Sequence, residues 1–153
     1  MWDWESGEGL LGLDDPGVWD AAFERGEAHL GTGAIGLALR CPLEEASPRI
    51  VRATRLPDRG ERGFAFTAVG TAARLNGELT PELYSVLRAE GAKGLAAAAI
   101  DDTLTFVPWR KLPLWLKGRS VSVTVRNKLE GWWLRSEDAV GDAWRTVRRL
   151  THR

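Results

Sequence analysis

Cysteine and histidine are scarce in this chain of 153 residues, and their scarcity excludes several kinds of site. There is one cysteine, Cys41, and there are two histidines, His29 and His152. A single thiol cannot form an internal disulfide, which is typical of proteins from a reducing cytoplasm. One cysteine and two distant histidines also do not match the ligand spacing of a zinc site. We therefore expect no disulfide, no metal site and a cytoplasmic location.

Long hydrophobic runs are missing as well. No stretch reaches the roughly 20 apolar residues that span a bilayer. Met1 is followed by Trp-Asp-Trp-Glu, whereas a secretory signal begins with a basic and then an apolar region. The prediction is a protein without a transmembrane segment. The length favours a single domain over residues 1–153, with residues 1–13 as an irregular N-terminal segment.

Net charge is absent too, because 21 basic side chains balance 21 acidic ones. The balance conceals an asymmetry between the two ends of the chain. Residues 1–47, the acidic segment, carry ten acidic and two basic side chains, whereas residues 110–153, the basic segment, carry eleven basic and four acidic ones. Seven of the eight tryptophans lie in these two segments. Such asymmetry indicates an interaction surface or two ends that meet each other.

Three segments carry the start signals of a helix, which are a capping Asp, Thr or Ser, followed in two cases by proline. These segments begin at Asp15, Thr80 and Ser136. Glycine is the expected end of the first two helices, at Gly26 and Gly91.

Short apolar runs bounded by Gly, Pro or Asp predict β-strands between these helices. The predicted strands are residues 35–41, 49–56, 63–69, 95–100, 103–107 and 119–126. Turns at 57–60 and 101–102 would join four of them into two hairpins. The sequence therefore predicts an α+β fold, in which an antiparallel sheet of about five or six strands has two or three helices packed on one face.

Residues 64–107 also resemble a known family. The segments Phe-Ala-Phe-Thr-Ala-Val-Gly (64–70), Leu-Thr-Pro-Glu-Leu (79–83) and Ile-Asp-Asp-Thr-Leu-Thr-Phe (100–106) carry the likeness. They resemble a widespread bacterial domain of unknown function that is often found near membrane segments. The resemblance implies an α+β cytoplasmic module and supplies no catalytic residues.

The motif Gly-Thr-Gly-Ala-Ile-Gly at 31–36 matches the glycine pattern of dinucleotide-binding loops. That chemistry needs a buried strand before the motif and a helix that opens at its end. The residues before it, 24–29, are charged, and no βαβ unit follows. We therefore interpret the motif as a glycine-rich turn, or as a strand that another backbone approaches closely, and we expect no cofactor.

Paired carboxylates occur at Asp14-Asp15, Glu44-Glu45 and Asp101-Asp102. Catalysis or cation binding needs carboxylates that converge on one point, whereas neighbours on a strand or in a turn diverge. We interpret the pairs as a helix cap, a solvated loop and a hairpin turn. Arginines at every third position from 49 to 55 would point to both faces of a strand, so they predict solvated strand faces.

The strongest candidate surface is the stretch 106–119, which mixes tryptophan and leucine with four cations and no acid. This composition suits an anionic membrane surface or single-stranded nucleic acid. It also suits a connection that is broken by proline, with apolar side chains in the core and cations in solvent. Together with cations of the last predicted helix, the candidate anion-binding residues are Trp109, Arg110, Lys111, Trp115, Lys117, Arg119, Arg145, Arg148 and Arg149.

No catalytic constellation is recognisable in the sequence. We expect a non-enzymatic binding or protein-interaction module that self-associates through its oppositely charged, tryptophan-rich ends, or that binds another protein. One alternative is a peripheral binder of an anionic membrane surface or of single-stranded nucleic acid. The other is a small hydrolase or transferase whose site is assembled from dispersed residues.

Overall fold

The computed structural model describes residues 1–120, and α-helices dominate this part of the chain. The α-helices of this part are α1 (Pro16–Arg25), α2 (Leu30–Arg40), α3 (Leu43–Ala53), α4 (Arg59–Asn76), α5 (Pro81–Glu90) and α6 (Ala97–Phe106). Short 3₁₀ turns lie at Leu10–Gly12 and Trp109–Lys111. Residues 114–120 are also helical. The chain divides into two compact units, Met1–Leu112 and Pro113–Arg153, and α1 to α6 all belong to the first.

The predicted α+β fold with an antiparallel sheet is wrong, because no residue between 1 and 120 lies in a β-strand. Most of the residues predicted as strands before position 108 belong to α2, α3, α4 and α6. Asp101 and Asp102, predicted to form a hairpin turn, lie within α6. The strand predicted at 119–126 begins in helical residues and otherwise lies outside the described residues. The helix predicted after Ser136 lies outside them as well.

Two predicted helices are confirmed with their caps. The Asp15 carboxylate accepts hydrogen bonds from two backbone amides in the first turn of α1, and Gly26 ends that helix with a φ of 68°. The Thr80 hydroxyl accepts from one backbone amide in the first turn of α5, and Gly91 follows its last residue with a φ of 78°. Local capping chemistry was therefore sufficient to place these two helices.

Helix α3 replaces a predicted polar loop and strand. Its buried face includes Leu43, Ala46, Ile50 and Ala53, which recur with the three- or four-residue spacing of a helix. Pro48 lies within the helix and is exposed to solvent. The stripe packs against α1, α2, α4 and α5, and this burial holds α3 helical despite the amide that proline lacks.

Helix α4 is the longest of the described helices and lies at the centre of the first unit, with α2 on one side and α6 on the other. A methyl group added at Gly31 of α2 would overlap the Glu61 carbonyl oxygen, and one at Gly70 of α4 would lie 3.3 Å from Ala99 Cα in α6. The missing side chains therefore let α4 approach both neighbours closely.

The glycine motif at 31–36 thus lies in helix α2, so the prediction of a turn or strand there is wrong. The close approach of other backbone that we inferred for it is real. A methyl group at Gly36 would overlap the Leu10 carbonyl oxygen, and one at Gly33 would lie about 3.0 Å from the Trp4 ring. The motif packs helices together and has no phosphate-binding geometry, since it lies inside a helix and not before one.

Candidate functional site

Three of the predicted anion-binding residues lie together on one 3₁₀ turn. Trp109, Arg110 and Lys111 follow Pro108 and are exposed, with half of Trp109 accessible to solvent (50%). Lys111 Nζ donates a hydrogen bond to Glu78 Oε2 at 3.0 Å. Lys111 is therefore partly neutralised, whereas Arg110 makes no ion pair within the described residues. Trp109 and Arg110 are therefore the exposed residues of this turn that make no ion pair within the described residues.

The remaining predicted residues belong to the second compact unit or lie outside the described residues. Trp115 and Lys117 are half-buried in the helical residues 114–120, and Arg119 is exposed there. These three belong to the second compact unit. Arg145, Arg148 and Arg149 lie outside the described residues.

Arginines of α3 engage the acidic side chains of α1. Arg49 Nε donates to Asp20 Oδ1 at 3.1 Å, and this pairing with Asp20 raises the pKa of the Arg49 guanidinium. Arg52 donates to Asp20 at 3.2 Å and to Glu24 at 3.1 Å, and its guanidinium lies 4.0 Å from the centre of the Phe23 ring. The three-residue spacing places Arg49 and Arg52 on one helix face, so the prediction of solvated strand faces is wrong.

The ion pairs show which residues neutralise the two charged ends of the chain. Within residues 1–112, the ion pairs of the acidic segment are made with Arg25, Arg49 and Arg52, none of which belongs to the basic segment. Lys111, which does belong to it, pairs with Glu78 outside the acidic segment. The charge asymmetry is therefore partly neutralised by partners within the acidic segment and in the middle of the chain.

An uncharged face runs along the solvent side of α2 and α4, and we call it the outer face. Gly33 and Gly36 turn towards the N-terminal segment and Gly70 towards α6, which leaves the outer face between them. Its residues are partly or fully exposed and none carries a charge. They are Thr32, Ile35 and Leu39 of α2, and Phe64, Thr67, Thr71 and Leu75 of α4. The exposed Arg74, two helical turns after Thr67, borders this face and pairs with Asp102 of α6.

The two halves of the outer face meet at the seam between the helices. Phe64 Cβ lies only 2.9 Å from the place that a Cβ on Gly31 would take, so Phe64 stands at the seam on the α4 side. Ile35 and Leu39 follow Gly31 by one and two helical turns. The exposed fractions are 44% for Leu39, 47% for Phe64 and 55% for Leu75. Apolar surface of this kind, with several large side chains on adjacent helices, is characteristic of interaction sites.

The threonines of the outer face contribute little polarity. Thr67 Oγ1 donates to the Gly63 carbonyl at 3.1 Å, and Thr71 Oγ1 donates to the Thr67 carbonyl at 2.9 Å. Because each hydroxyl proton is directed back along its own helix, the outer face offers few donors to a partner. This face is not among the surfaces predicted from the sequence, although the uncharged residues at positions 64, 67, 71 and 75 have the spacing of a helix.

A cleft of about 510 Å³ opens between the C-terminal end of α1 and the N-terminal ends of α2 and α4, and we call it the His29 cleft. Apolar side chains form much of its wall, and carboxylates and one imidazole supply its polar groups. The lining residues are Phe23, Gly26, Glu27, Ala28, His29, Leu30, Leu56, Pro57, Asp58 and Glu61. Its volume is within the usual range for small-molecule sites, roughly 300–1,000 Å³.

His29 has an unusual backbone in this cleft. Its φ is 58° and its ψ is 24°, and this left-handed conformation costs a residue other than glycine about 1–2 kcal/mol. The turn that it forms leads into α2, where the His29 carbonyl accepts a hydrogen bond from the Gly33 amide at 3.0 Å. The imidazole lies against Gly7, where a methyl group would be 3.1 Å from the ring.

A second cleft, of about 460 Å³, lies between α3 and α5. Val51, Phe66 and Val86 contribute apolar surface to it, and Arg55 and Glu82 are among its polar residues. It therefore has both charge signs at its rim.

The single cysteine is poorly suited to act as a nucleophile. Cys41 Sγ lies 3.4 Å from the Asp14 carbonyl oxygen. Burial, followed by the nearby carboxylates of Glu45, Asp14 and Asp15, raises the pKa of the thiol. A raised pKa leaves little thiolate at neutral pH.

Residues 1–120 contain neither a metal-binding cluster nor a membrane-spanning helix. No group of three or more His, Cys, Asp or Glu side chains among them is arranged to hold a metal ion. None of their helices combines the length and the hydropathy needed to cross a bilayer.

Comparison with known proteins gives no relatives. No family model matches the chain, no curated protein is similar to it, and no solved structure matches it. The resemblance of residues 64–107 to a bacterial domain stays a prediction, although the α+β fold that it implied is wrong for those residues.

Proposed function

We propose that this chain is a non-enzymatic protein-interaction module that self-associates through the outer face of α2 and α4. The observation that carries the proposal is the uncharged surface formed by two adjacent helices, in a chain of which 27% of the residues are charged. The lone thiol of Cys41 supports a cytoplasmic location.

A second copy of this chain is the occupant that best fits the outer face. In a two-fold dimer the same patch contacts itself, so a surface of one charge sign would repel its copy, whereas an uncharged surface does not. Depletion of charge at the core is also what distinguishes protein interfaces from other surface. Leu39, Phe64 and Leu75 would supply the apolar contacts.

The size of the outer face predicts weak association. The outer face covers twelve residues of α4 and eight of α2, which are about 18 Å and about 12 Å long, and each helix is roughly 10 Å wide. The resulting footprint of about 300 Å² is much smaller than the roughly 800 Å² per partner of a standard interface. We expect a dimer that forms and dissociates with concentration.

Sedimentation equilibrium of the full chain over a wide concentration range tests this proposal. The wild-type mass should rise from monomer towards dimer. Leu39→Glu and Leu75→Glu should each hold the mass at the monomer value, because a charge would be buried in the contact. Ser85→Glu is the matched control, since it adds the same charge to an exposed position of α5 and should leave the mass curve unchanged.

Two results would count against self-association through this face. One is a wild-type chain that remains monomeric at every concentration. The other is a mass curve that shifts equally in all three variants. Circular dichroism of each variant ensures that a changed mass is compared between folded proteins.

Exposure of Trp109 beside Arg110 favours a second candidate function, binding of an anionic partner at this turn. A tryptophan at the surface next to a cation suits a lipid headgroup or a stacked base with its phosphate. Sedimentation with phosphatidylserine vesicles and retention on oligothymidine, both at low salt, measure the two possibilities. Arg110→Glu should abolish retention and Arg88→Glu, on the exposed side of α5, should preserve it. Absence of retention by the wild type removes this candidate.

A further inference from the structure

We propose that the His29 cleft binds a small organic cation with an apolar body, such as an aryl-alkyl amine. This site shares no lining residue with the outer face, although Glu61 of the cleft and Phe64 of the outer face both adjoin Gly31, and it does not depend on self-association. Three features of the cleft support the proposal: its apolar wall, the free oxygen atoms of its carboxylates and the charges around it.

The wall of the cleft provides apolar surface for the body of a ligand. Ala28, Leu30, Leu56 and Pro57 line it together with Phe23. The Phe23 ring stacks on Trp19 with 5.3 Å between centroids and also lies under the Arg52 guanidinium. Because these neighbours already occupy the ring, Phe23 contributes apolar contact and no vacant face for a cation.

Each carboxylate of the cleft is fixed by one oxygen atom and has a second one unused. Glu61 Oε2 accepts from the Gly31 amide at 2.6 Å, Asp58 Oδ1 accepts from the Glu61 amide at 2.9 Å, and Glu27 Oε1 accepts from Arg25 at 2.9 Å. The remaining oxygens, Glu61 Oε1, Asp58 Oδ2 and Glu27 Oε2, make no hydrogen bond with described residues. Side chains fixed in this way are preorganised acceptors for ligand N–H groups.

The balance of charge in the cleft favours a cation over an anion. Three carboxylates line it, and no lysine or arginine does. Among nearby cations, Arg25 pairs with Glu27, and Arg62 donates to the Leu56 and Pro57 carbonyls. Arg52 pairs with acids of α1. Asp58 and Glu61 therefore lack an ion-pair partner within the described residues.

The same geometry excludes a metal ion as the preferred ligand. No three of the acidic and imidazole groups described are arranged to hold one, so the acceptors are spread around the wall. An ammonium group has three donors, so one or two of these carboxylates can bind it while water accepts from its remaining N–H groups. Its apolar substituent would cover Leu30 and Leu56.

Titration of the full chain with phenylethylamine, followed by amide chemical shifts and by calorimetry, tests the proposal. Phenylethanol and phenylacetate are matched neutral and anionic probes. The amine should bind saturably, with the largest shifts at His29, Leu30 and Glu61. The neutral probe should bind at least about tenfold more weakly, and the anion should not bind.

Variants test the role of each group. Glu61→Gln removes the charge and keeps an oxygen for the Gly31 amide, and should weaken amine binding by about tenfold or more. Asp58→Asn keeps a good helix cap and should also weaken it. Ala28→Trp fills the cleft without a change of charge and should abolish binding. Glu44→Gln, in the exposed first turn of α3, is the control and should leave it unchanged.

Several outcomes overturn the proposal. They are no saturable binding of the amine, equal binding of the neutral or anionic probe, and an effect of Glu44→Gln as large as that of Glu61→Gln. If Glu61→Gln fails to fold, Asp58→Asn and Ala28→Trp still decide the result. Failure here leaves the outer face untouched, because its test measures mass and not ligand binding.

Discussion

Single glycines decide how closely the helices of the first unit can pack. Gly36 of α2 lies against the Leu10 carbonyl, which is a backbone atom that cannot rotate away. A methyl group added at Gly63 of α4 would instead meet Leu95 Cδ2 at 3.9 Å, which is an ordinary contact distance. Both positions are glycine, but only Gly36 requires the absence of a side chain.

Gly36→Ala should therefore destabilise the protein, by about 2 kcal/mol or more, because the added methyl group overpacks against backbone. Gly63→Ala is the matched control and should stabilise by up to about 1 kcal/mol, because alanine is the better helix former. Urea unfolding followed by circular dichroism gives both values. Equal effects of the two substitutions would show that Gly36 is not needed for packing.

The helix caps show what could be predicted from single residues and what could not. Asp15 and Thr80 were identified as caps because a capping side chain acts within its own turn. Asp58 caps α4 in the same way, through the Glu61 amide, but it was interpreted as part of a turn. Pro-Asp-Arg-Gly is typical of both structures, and only the burial of the residues that follow distinguishes them.

At the scale of elements, short apolar runs misled the prediction. Residues 95–107 contain apolar runs of strand length, and such runs do not distinguish a strand from a buried helix. In α2, the glycines at 31, 33 and 36 lower helix propensity, and tight packing against α4 and the N-terminal segment overrides it. The outer face and the His29 cleft were missed for the same reason, because both depend on helices that were predicted as strands or loops.

The contact between α1 and α3 depends most on Arg52. This side chain pairs with Asp20 and Glu24 and lies over the Phe23 ring. Its pairs are partly exposed, so each is worth less than about 1 kcal/mol, and the ring contact adds about 0.5–1 kcal/mol. Arg52→Ala should lower the free energy of unfolding by about 1–2 kcal/mol, as measured by urea denaturation.

Arg55→Ala provides the comparison for this prediction. Arg55 is exposed and makes no side-chain hydrogen bond or ion pair within the described residues, so its loss should change stability by less than about 0.5 kcal/mol. Arg52→Lys should recover only part of the wild-type stability, because lysine lacks the planar fork that reaches two carboxylates. A loss in Arg55→Ala as large as that in Arg52→Ala would contradict the account of this contact.

At the scale of the whole molecule, the opposite charges of the two ends do not by themselves predict how the chain associates. The sequence shows where charge lies along the chain, but pairing depends on which helices are neighbours. Asp20 and Glu24 find their partners in α3, whose arginines belong to the nearly balanced middle of the chain. The residues of the outer face carry no charge, and composition alone does not reveal this face.

The most direct test of self-association through the outer face is the mass of the full chain in solution as the salt concentration rises. Salt does not screen an apolar contact, and sulfate strengthens it. Added salt shortens the Debye length and so weakens the attraction between oppositely charged ends. We predict that the dimer fraction is unchanged in sodium chloride and higher in sodium sulfate. Dissociation to monomer as either salt is raised would contradict the account and would favour association through the charged ends.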